Sequence, residues 1–294
     1  MFDIGNYVQA QSVRDAITKL SENPEAIVIA GGTDVLIQVR EGKLAGKSLV
    51  SIHGIRELNG VTMEQDGTIL IRPLTTFAGI TESEVIQKHV PTLGFATDQA
   101  GGPQLRNAGT IGGNICNGVT SADSAPALLT LNAELELEGP NGSRTVPQER
   151  FYTGPSRVDK AQNELLVAIR IAKKDYEGFY GHYIKYAQRN AMDIATLGCA
   201  VQVKLTADKQ KIDELRLAFG VAGPTPIRCH KTEEAAKGAA LDEALLETVG
   251  QTALTETKPR TSWRASKEFR TQLIYELSRR ALKEAITKAG GEVQ

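Results

Sequence analysis

Two glycine-rich segments hold the residues best placed to do chemistry in this chain. They are Ile29-Ala30-Gly31-Gly32-Thr33-Asp34 and Gly109-Thr110-Ile111-Gly112-Gly113-Asn114-Ile115-Cys116-Asn117. The first follows the apolar run Ala26-Ile27-Val28-Ile29-Ala30, which reads as a buried strand. It precedes Val35-Leu36-Ile37-Gln38-Val39-Arg40, which can begin a helix with Thr33 or Asp34 as N-cap. Strand, paired glycines, cap and helix bring bare backbone N–H groups up to an anion. Glycine has no Cβ to hold the ligand off, and a helix start carries partial positive charge. The second segment repeats the ingredients without an obvious helix after it, so two such loops would grip a diphosphate from both sides. Each glycine pair taken singly reads equally well as an ordinary turn, and neither matches the common dinucleotide or P-loop patterns. The company decides between these readings. Asn107, Thr110, Asn114, Asn117, Thr120, Ser121, Asp123 and Ser124 crowd the second loop, with few ionisable groups. That surface suits neutral hydrogen bonds to a large polar ligand, not hydrolysis.

The flanking pattern supplies elements to position these loops. Val13, Ala16, Ile17 and Leu20 share one helical face, with Ser12 as cap. Ser48–Ile52 reads as a strand. Val61–Glu64 and Thr68–Ile71 flank Asp66-Gly67 as a hairpin. One helix is expected over Phe77–Val90, broken by Pro91, and another over Leu93–Gln99. Ala125–Leu131 follows as a short helix. Ala133–Glu138 alternates and returns through Pro140-Asn141-Gly142, and Leu165–Ile171 is a further strand. A polar break near Lys173–Gly178 opens a tail with strands over Gly181–Ala187, Ile194–Leu205 and Ile212–Val221, ended by Pro224 and Pro226. Helices are expected over Thr232–Lys237, Leu241–Leu254 and Glu268–Lys288. The last places Leu273, Leu277, Ala281, Leu282 and Ala285 on one face.

Composition excludes several classes. The 294 residues carry a net charge of −1, which makes no electrostatic case for nucleic acid or membrane. Mean hydropathy is −0.23, and the N-terminus has no basic and apolar leader pattern, so a cytoplasmic protein is expected. Cys116, Cys199 and Cys229 are scattered and odd in number, against a disulfide framework or a metal pair. His53, His89, His182 and His230 show no metal spacing. No metal site is expected.

The A-G-G-T-D segment, then Ala100-Gly101, Gln104, Arg106-Asn107, Thr110 and Gly112-Gly113-Asn114-Ile115 with Asp123 beyond, resembles the FAD-binding subunits of the molybdenum hydroxylases. This is the xanthine dehydrogenase and carbon monoxide dehydrogenase group. Lys185-Tyr186-Ala187-Gln188-Arg189 with Asp193-Ile194-Ala195 fits a third family segment. Gly112–Gly118, Ala218–Ala222 and Ser262–Arg270 look most like the separate FAD subunits of bacterial xanthine dehydrogenases. The resemblance covers essentially the whole chain. It implies an α+β fold, a two-lobed FAD-binding module of the PCMH/vanillyl-alcohol-oxidase-like type. A smaller C-terminal domain with a three-stranded antiparallel sheet and helices would follow. The FAD-binding domain would span 1–174, with lobes of about 1–57 and 58–174, and the C-terminal domain 175–294.

By the same resemblance, Val28, Ile29, Ala30, Gly31, Gly32, Thr33, Asp34 and Val35 cradle the FAD diphosphate. Ala100, Gly101, Thr110, Gly112, Gly113 and Asn114 close from the second loop, and Leu165 belongs to the same set. Asp123 would bind FAD through its carboxylate, although capping the next helix is the alternative. Lys185 would place a cation near the flavin ring, against the alternative of a solvated surface charge. Asp193 and Ile194 would lie against the ring, with Asp193 positioning NAD. Lys185 and Asp193 are thus the candidate catalytic residues. Molybdopterin and [2Fe–2S] are implied on partner subunits only, the whole forming a dimer of heterotrimers, since four cluster cysteines are lacking here. Hydroxylases of nicotinate, an aldehyde or CO are alternative assemblies, and a FAD-free scaffold is another. Trp263 with Arg260, Arg264, Lys267 and Arg270 reads either as packing and capping or as a surface for other subunits.

Overall fold

A computed structural model describes residues 2–294. The first lobe is a parallel sheet in the order Asn6–Gln9, Ser48–Ser51, Ile27–Ile29. The Val13–Glu22 helix lies on it, with Ser12 Oγ accepting from Asp15 N at 3.1 Å and Val13, Ala16, Ile17 and Leu20 buried, as their spacing predicts. The Asn6–Gln9 strand was not expected. It is a largely exposed edge strand, so it shows no inward-outward alternation to read.

The second lobe is built on a five-stranded antiparallel sheet. Its order is Val61–Met63, Ile69–Ile71, Leu165–Ile171, Glu134–Gly139, Gly142–Pro147. The expected Phe77–Val90 helix is two helices, Phe77–Glu82 and Glu84–His89. Ser83 ends the first and caps the second, accepting from Ile86 N. Pro91 opens the next helix, Pro91–Asp98, from its first position, where its missing N–H costs no bond. The second glycine segment is also helical. Thr110 caps Ile111–Asn117 through Gly113 N, and Gly112-Gly113-Asn114 forms the first turn.

The C-terminal sheet has four strands where three were expected: Tyr180–Tyr186, Leu197–Leu205, Ile212–Gly220 and Ile227–Arg228. Pro224 and Pro226 do not end it, because two residues re-pair beyond them, Ala218 with Arg228 and Phe219 with Ile227. Both faces of this sheet are covered. Leu197, Cys199, Val201 and Val203 pack with Leu273, Leu277, Ala281 and Ala285 of the Lys267–Lys288 helix. Tyr183 and Ala200 face the other way, into the core of the second lobe.

That shared core is pinned by a buried ion pair. Arg216, 3% exposed, donates to the carbonyls of Thr130 and Asp175 and lies 3.3 Å from Asp175 Oδ1. Its guanidinium sits 4.1 Å over the Phe179 ring. Asp175 also accepts from Asn132 Nδ2 at 2.6 Å. Removing one partner of a buried pair strands the other charge, which costs about 3–5 kcal/mol. Glu214, half in solvent, still pairs with Arg216 and offsets part of this. Asp175→Ala is therefore expected to lower stability by about 3 kcal/mol in urea denaturation. An unchanged midpoint would show that this pair does not fasten the sheet.

Candidate functional site

A cleft of about 730 Å³ runs between the two lobes and the start of the C-terminal sheet. That is within the range of about 300–1,000 Å³ typical of small-molecule sites. Its lining brings together Val28, Ala30, Gly31, Gly32, Thr33, Asp34 and Val35 with Ala100, Gly101, Thr110, Gly112, Gly113 and Asn114. Asp123, Leu165, Asp193 and Ile194 complete the expected set. Two expected residues do not line it. Ile29 is 8% exposed, its Cδ1 lying under Gly32 instead of in the cleft. Lys185 lies behind Asp123.

The two glycine loops differ in what they offer. The N–H groups of Gly31, Gly32, Thr33, Asp34 and Val35 have no acceptor within the chain. Asp34 stands at the N-cap of the Val35–Arg40 helix yet makes no cap bond, its carboxylate instead accepting from Gln38 Nε2. Five consecutive donors are thus left for a ligand. The second loop spends three of its donors within the chain. Ile111 N bonds Thr75 O, Gly112 N bonds Pro73 O, and Gly113 N bonds Thr110 Oγ1. Most of the second loop's amides are thus spent, while Thr110 N, at the cleft, has no acceptor within the chain. The Asn114 side-chain amide is a further donor there, its Oδ1 held by Ser124 Oγ at 2.7 Å.

The glycines explain how the loops meet. A Cβ on Gly31 would lie 1.8 Å from the Ala108 carbonyl oxygen, and one on Gly112 would lie 2.3 Å from Pro73. These two glycines admit backbone to backbone. Gly32 has φ +73°, which a side chain would strain.

Asp123 neither caps the following helix nor has a free carboxylate. Its oxygens accept from Tyr183 Oη at 2.7 Å and Lys185 Nζ at 2.8 Å. Lys185 Nζ also donates to Gln99 O at 2.8 Å. Both side chains of this pair are 7% exposed. Burial pushes the Asp123 carboxyl upward, while Lys185 and then Tyr183 pull it back. Burial and the adjacent carboxylate hold the Tyr183 phenol well above its ordinary value. Lys185 is therefore neither a solvated charge nor a free cation at the cleft. Its charge is matched, and the pair works as a clamp behind the wall. Asp193 is likewise committed, accepting from Ile194 N at 2.8 Å and Arg189 N at 2.9 Å. These bonds, that to Ile194 first, hold its carboxyl below the usual range. They shape a turn that reaches back to the second lobe, where Met192 N donates to Gly101 O.

Lys160 is the one lysine or arginine lining the cleft, and the sequence reading missed it. Its Nζ donates to the carbonyls of Ala161 and Glu164, both at 2.9 Å, and pairs with no carboxylate. Desolvation lowers its ordinary value, opposed by Cys116 and Glu164. Cys116 faces the same end, its thiol pushed up to about 11 by burial. The only sequence signal for Lys160 was its place just before the Leu165 strand. No group of three or more potential metal-ligating residues occurs among the described residues.

Residues 2–173 match the FAD binding domain in molybdopterin dehydrogenase, and residues 182–285 the CO dehydrogenase flavoprotein C-terminal domain. The chain is 45% identical, over the full length of both chains, to a xanthine dehydrogenase FAD-binding subunit of Escherichia coli O157:H7. It is 29% identical to the glyceraldehyde dehydrogenase medium chain of Sulfolobus acidocaldarius, over 95% of this chain and 97% of that one. It superposes on a chain of carbon monoxide dehydrogenase from Hydrogenophaga pseudoflava with TM-score 0.92 and 28% identity, covering 98% and 99% of the two chains.

The cleft fits FAD on its own features: five free N–H groups for phosphate oxygens, one ammonium, and apolar walls at Val28 and Leu165. Gly31→Ala is expected to push the two loops apart and weaken FAD binding by about 1.5–3 kcal/mol per charge-assisted bond lost. Titration of apoprotein with FAD checks this, and unchanged affinity would remove the loop from the cradle. Lys185→Met is expected to leave Asp123 buried and unpaired, lowering stability by about 3 kcal/mol. A thermal melt identical to that of the parent chain would reject the clamp.

Proposed function

Because the chain belongs to the FAD-binding subunits of the molybdenum hydroxylases, we propose that it serves a xanthine dehydrogenase and passes electrons from [2Fe–2S] clusters to NAD. The observation that carries the cofactor role is the run of free N–H groups from Gly31 to Val35 beside an apolar cleft. The xanthine branch rests on the full-length similarity to a xanthine dehydrogenase FAD-binding subunit. When bound, FAD supplies acceptance of electrons and their delivery as hydride.

The chain's own residues bind, orient and enclose. Gly31 to Val35 hold the phosphate oxygens, assisted by the Asn114 amide and the Lys160 ammonium. Val28 and Leu165 supply apolar walls. The Met192–Ile194 turn, which lines the cleft, would lie against the ring on the side where NAD approaches. Asp193 would serve NAD indirectly, by fixing the shape of that turn. The Asp123–Lys185 clamp keeps the wall from yielding, as buried ion pairs with full hydrogen bonding do.

Residues 1–174 would then be the FAD-binding unit and 175–294 the unit that completes its wall. Substrate oxidation falls to a molybdopterin-binding subunit, with an iron–sulfur subunit between, assembled as a dimer of heterotrimers in the cytoplasm.

The test is the complex purified with its co-expressed partners. Xanthine with NAD is expected to yield NADH, and the yield should fall in proportion to FAD removed. Reduction of an artificial dye without NADH would overturn the acceptor. Full FAD content without xanthine oxidation would overturn the substrate.

A further inference from the structure

Trp263 is 80% exposed, the most exposed of the large apolar side chains described. It sits at the tip of a tight turn, closed by Ser262 N donating to Ala265 O at 2.9 Å and Arg264 N to Ser262 Oγ. The turn is rigidly built. Arg270, 2% exposed, donates to the Arg260 and Ala265 carbonyls and, at 2.8 Å, to Ser262 Oγ. The same guanidinium donates to Thr196 O, two residues beyond Ile194 at the cleft. Gln188 Nε2 ties the turn from the other side, donating to Arg264 O at 3.1 Å.

The surroundings are apolar and cationic together. The Arg264 guanidinium lies 4.3 Å over the Trp263 ring. Phe269, 42% exposed, meets Tyr186, 38% exposed, edge to face at 5.5 Å. Met192, 65% exposed, and Ile194, 46% exposed, continue the apolar surface into the cleft. No ion pair neutralises Arg260, Arg264 or Arg270 among the described residues. A large aromatic held on a braced turn loses little conformational freedom on being covered. Buried Trp and Arg anchors of this kind dominate protein interfaces.

We propose that the Trp263–Arg264 turn is the anchor by which the chain docks the iron–sulfur subunit, the tryptophan entering an apolar pocket rimmed by that subunit's carboxylates. This rests on the proposed function, which requires an electron-donating protein to reach the cleft. The cationic cluster selects an acidic partner surface. It disfavours a second copy of this chain, which would bring the same arginines against it. The bonds from Gln188 and Arg270 place the anchor beside the Met192–Ile194 turn, so a partner seated there lies next to the flavin cleft.

The test uses the full chain and its co-expressed iron–sulfur subunit, with affinity measured by titration and FAD content read separately. Trp263→Ala is expected to weaken association on the order of thirty-fold. Arg264→Glu is expected to weaken it comparably, and parent affinity is expected to fall with added salt. FAD content is expected to stay at the parent level in both. Association as tight as the parent's in Arg264→Glu, or in a Trp263→Ala chain with full FAD, would overturn the anchor while leaving the subunit reading intact. A parent chain with full FAD that binds no iron–sulfur subunit would overturn the subunit reading and the anchor with it.

Discussion

Five adjacent backbone N–H groups without an acceptor are a debt the rest of the molecule is arranged around. An unpaired backbone donor is costly when shut away from water, so a protein leaves such a run open only where a ligand or solvent can reach it. Three features keep these donors open. Gly32 takes a left-handed conformation, Asp34 declines to cap the helix it begins, and Gly31 lets the opposite loop approach without a side chain between. The second loop does the reverse. Three of its amides are consumed by Pro73, Thr75 and Thr110, which makes it a stiff ledge. One loop is kept hungry and the other sated, and that asymmetry is what the cleft uses.

The wall opposite depends on charge balance. Asp123 comes from the second lobe and its partners, Tyr183 and Lys185, from the first strand of the C-terminal sheet. Alternation along that strand places 183 and 185 on the face turned to the cleft wall. A one-residue slip in register would turn both away and leave a buried carboxylate bare. The pair thus fixes register as well as position. Asp175 with Arg216 does similar work farther along the same sheet.

Much of this was legible in the residues. Amphipathic spacing marked the Val13 and Lys267 helices because one face of each is buried, and the glycine pairs marked the loops because few other residues permit such backbone. What stayed hidden was long-range. The sequence shows that Lys185 is charged, but its partner sits 62 residues earlier, and only the folded chain brings them together. The spent donors of Ile111 and Gly112 were invisible for the same reason, since Thr75 and Pro73 accept them. Lys160 carried no local pattern at all, because its acceptors are backbone carbonyls that any residue provides. The Asn6–Gln9 strand escaped notice because an exposed edge needs no alternation.

The cleft draws its lining from Ala26 through to Ile194, and the last part of that lining is braced by Arg270 through Thr196. Chains emerge from the ribosome N-terminus first and fold in units as they do. The phosphate loop is therefore made early, yet its enclosure waits until the helix holding Arg270 has been made. Firm enclosure of a ligand is in this design a late step of folding. A nascent chain stalled before that helix would carry an open loop that flavin can visit and leave.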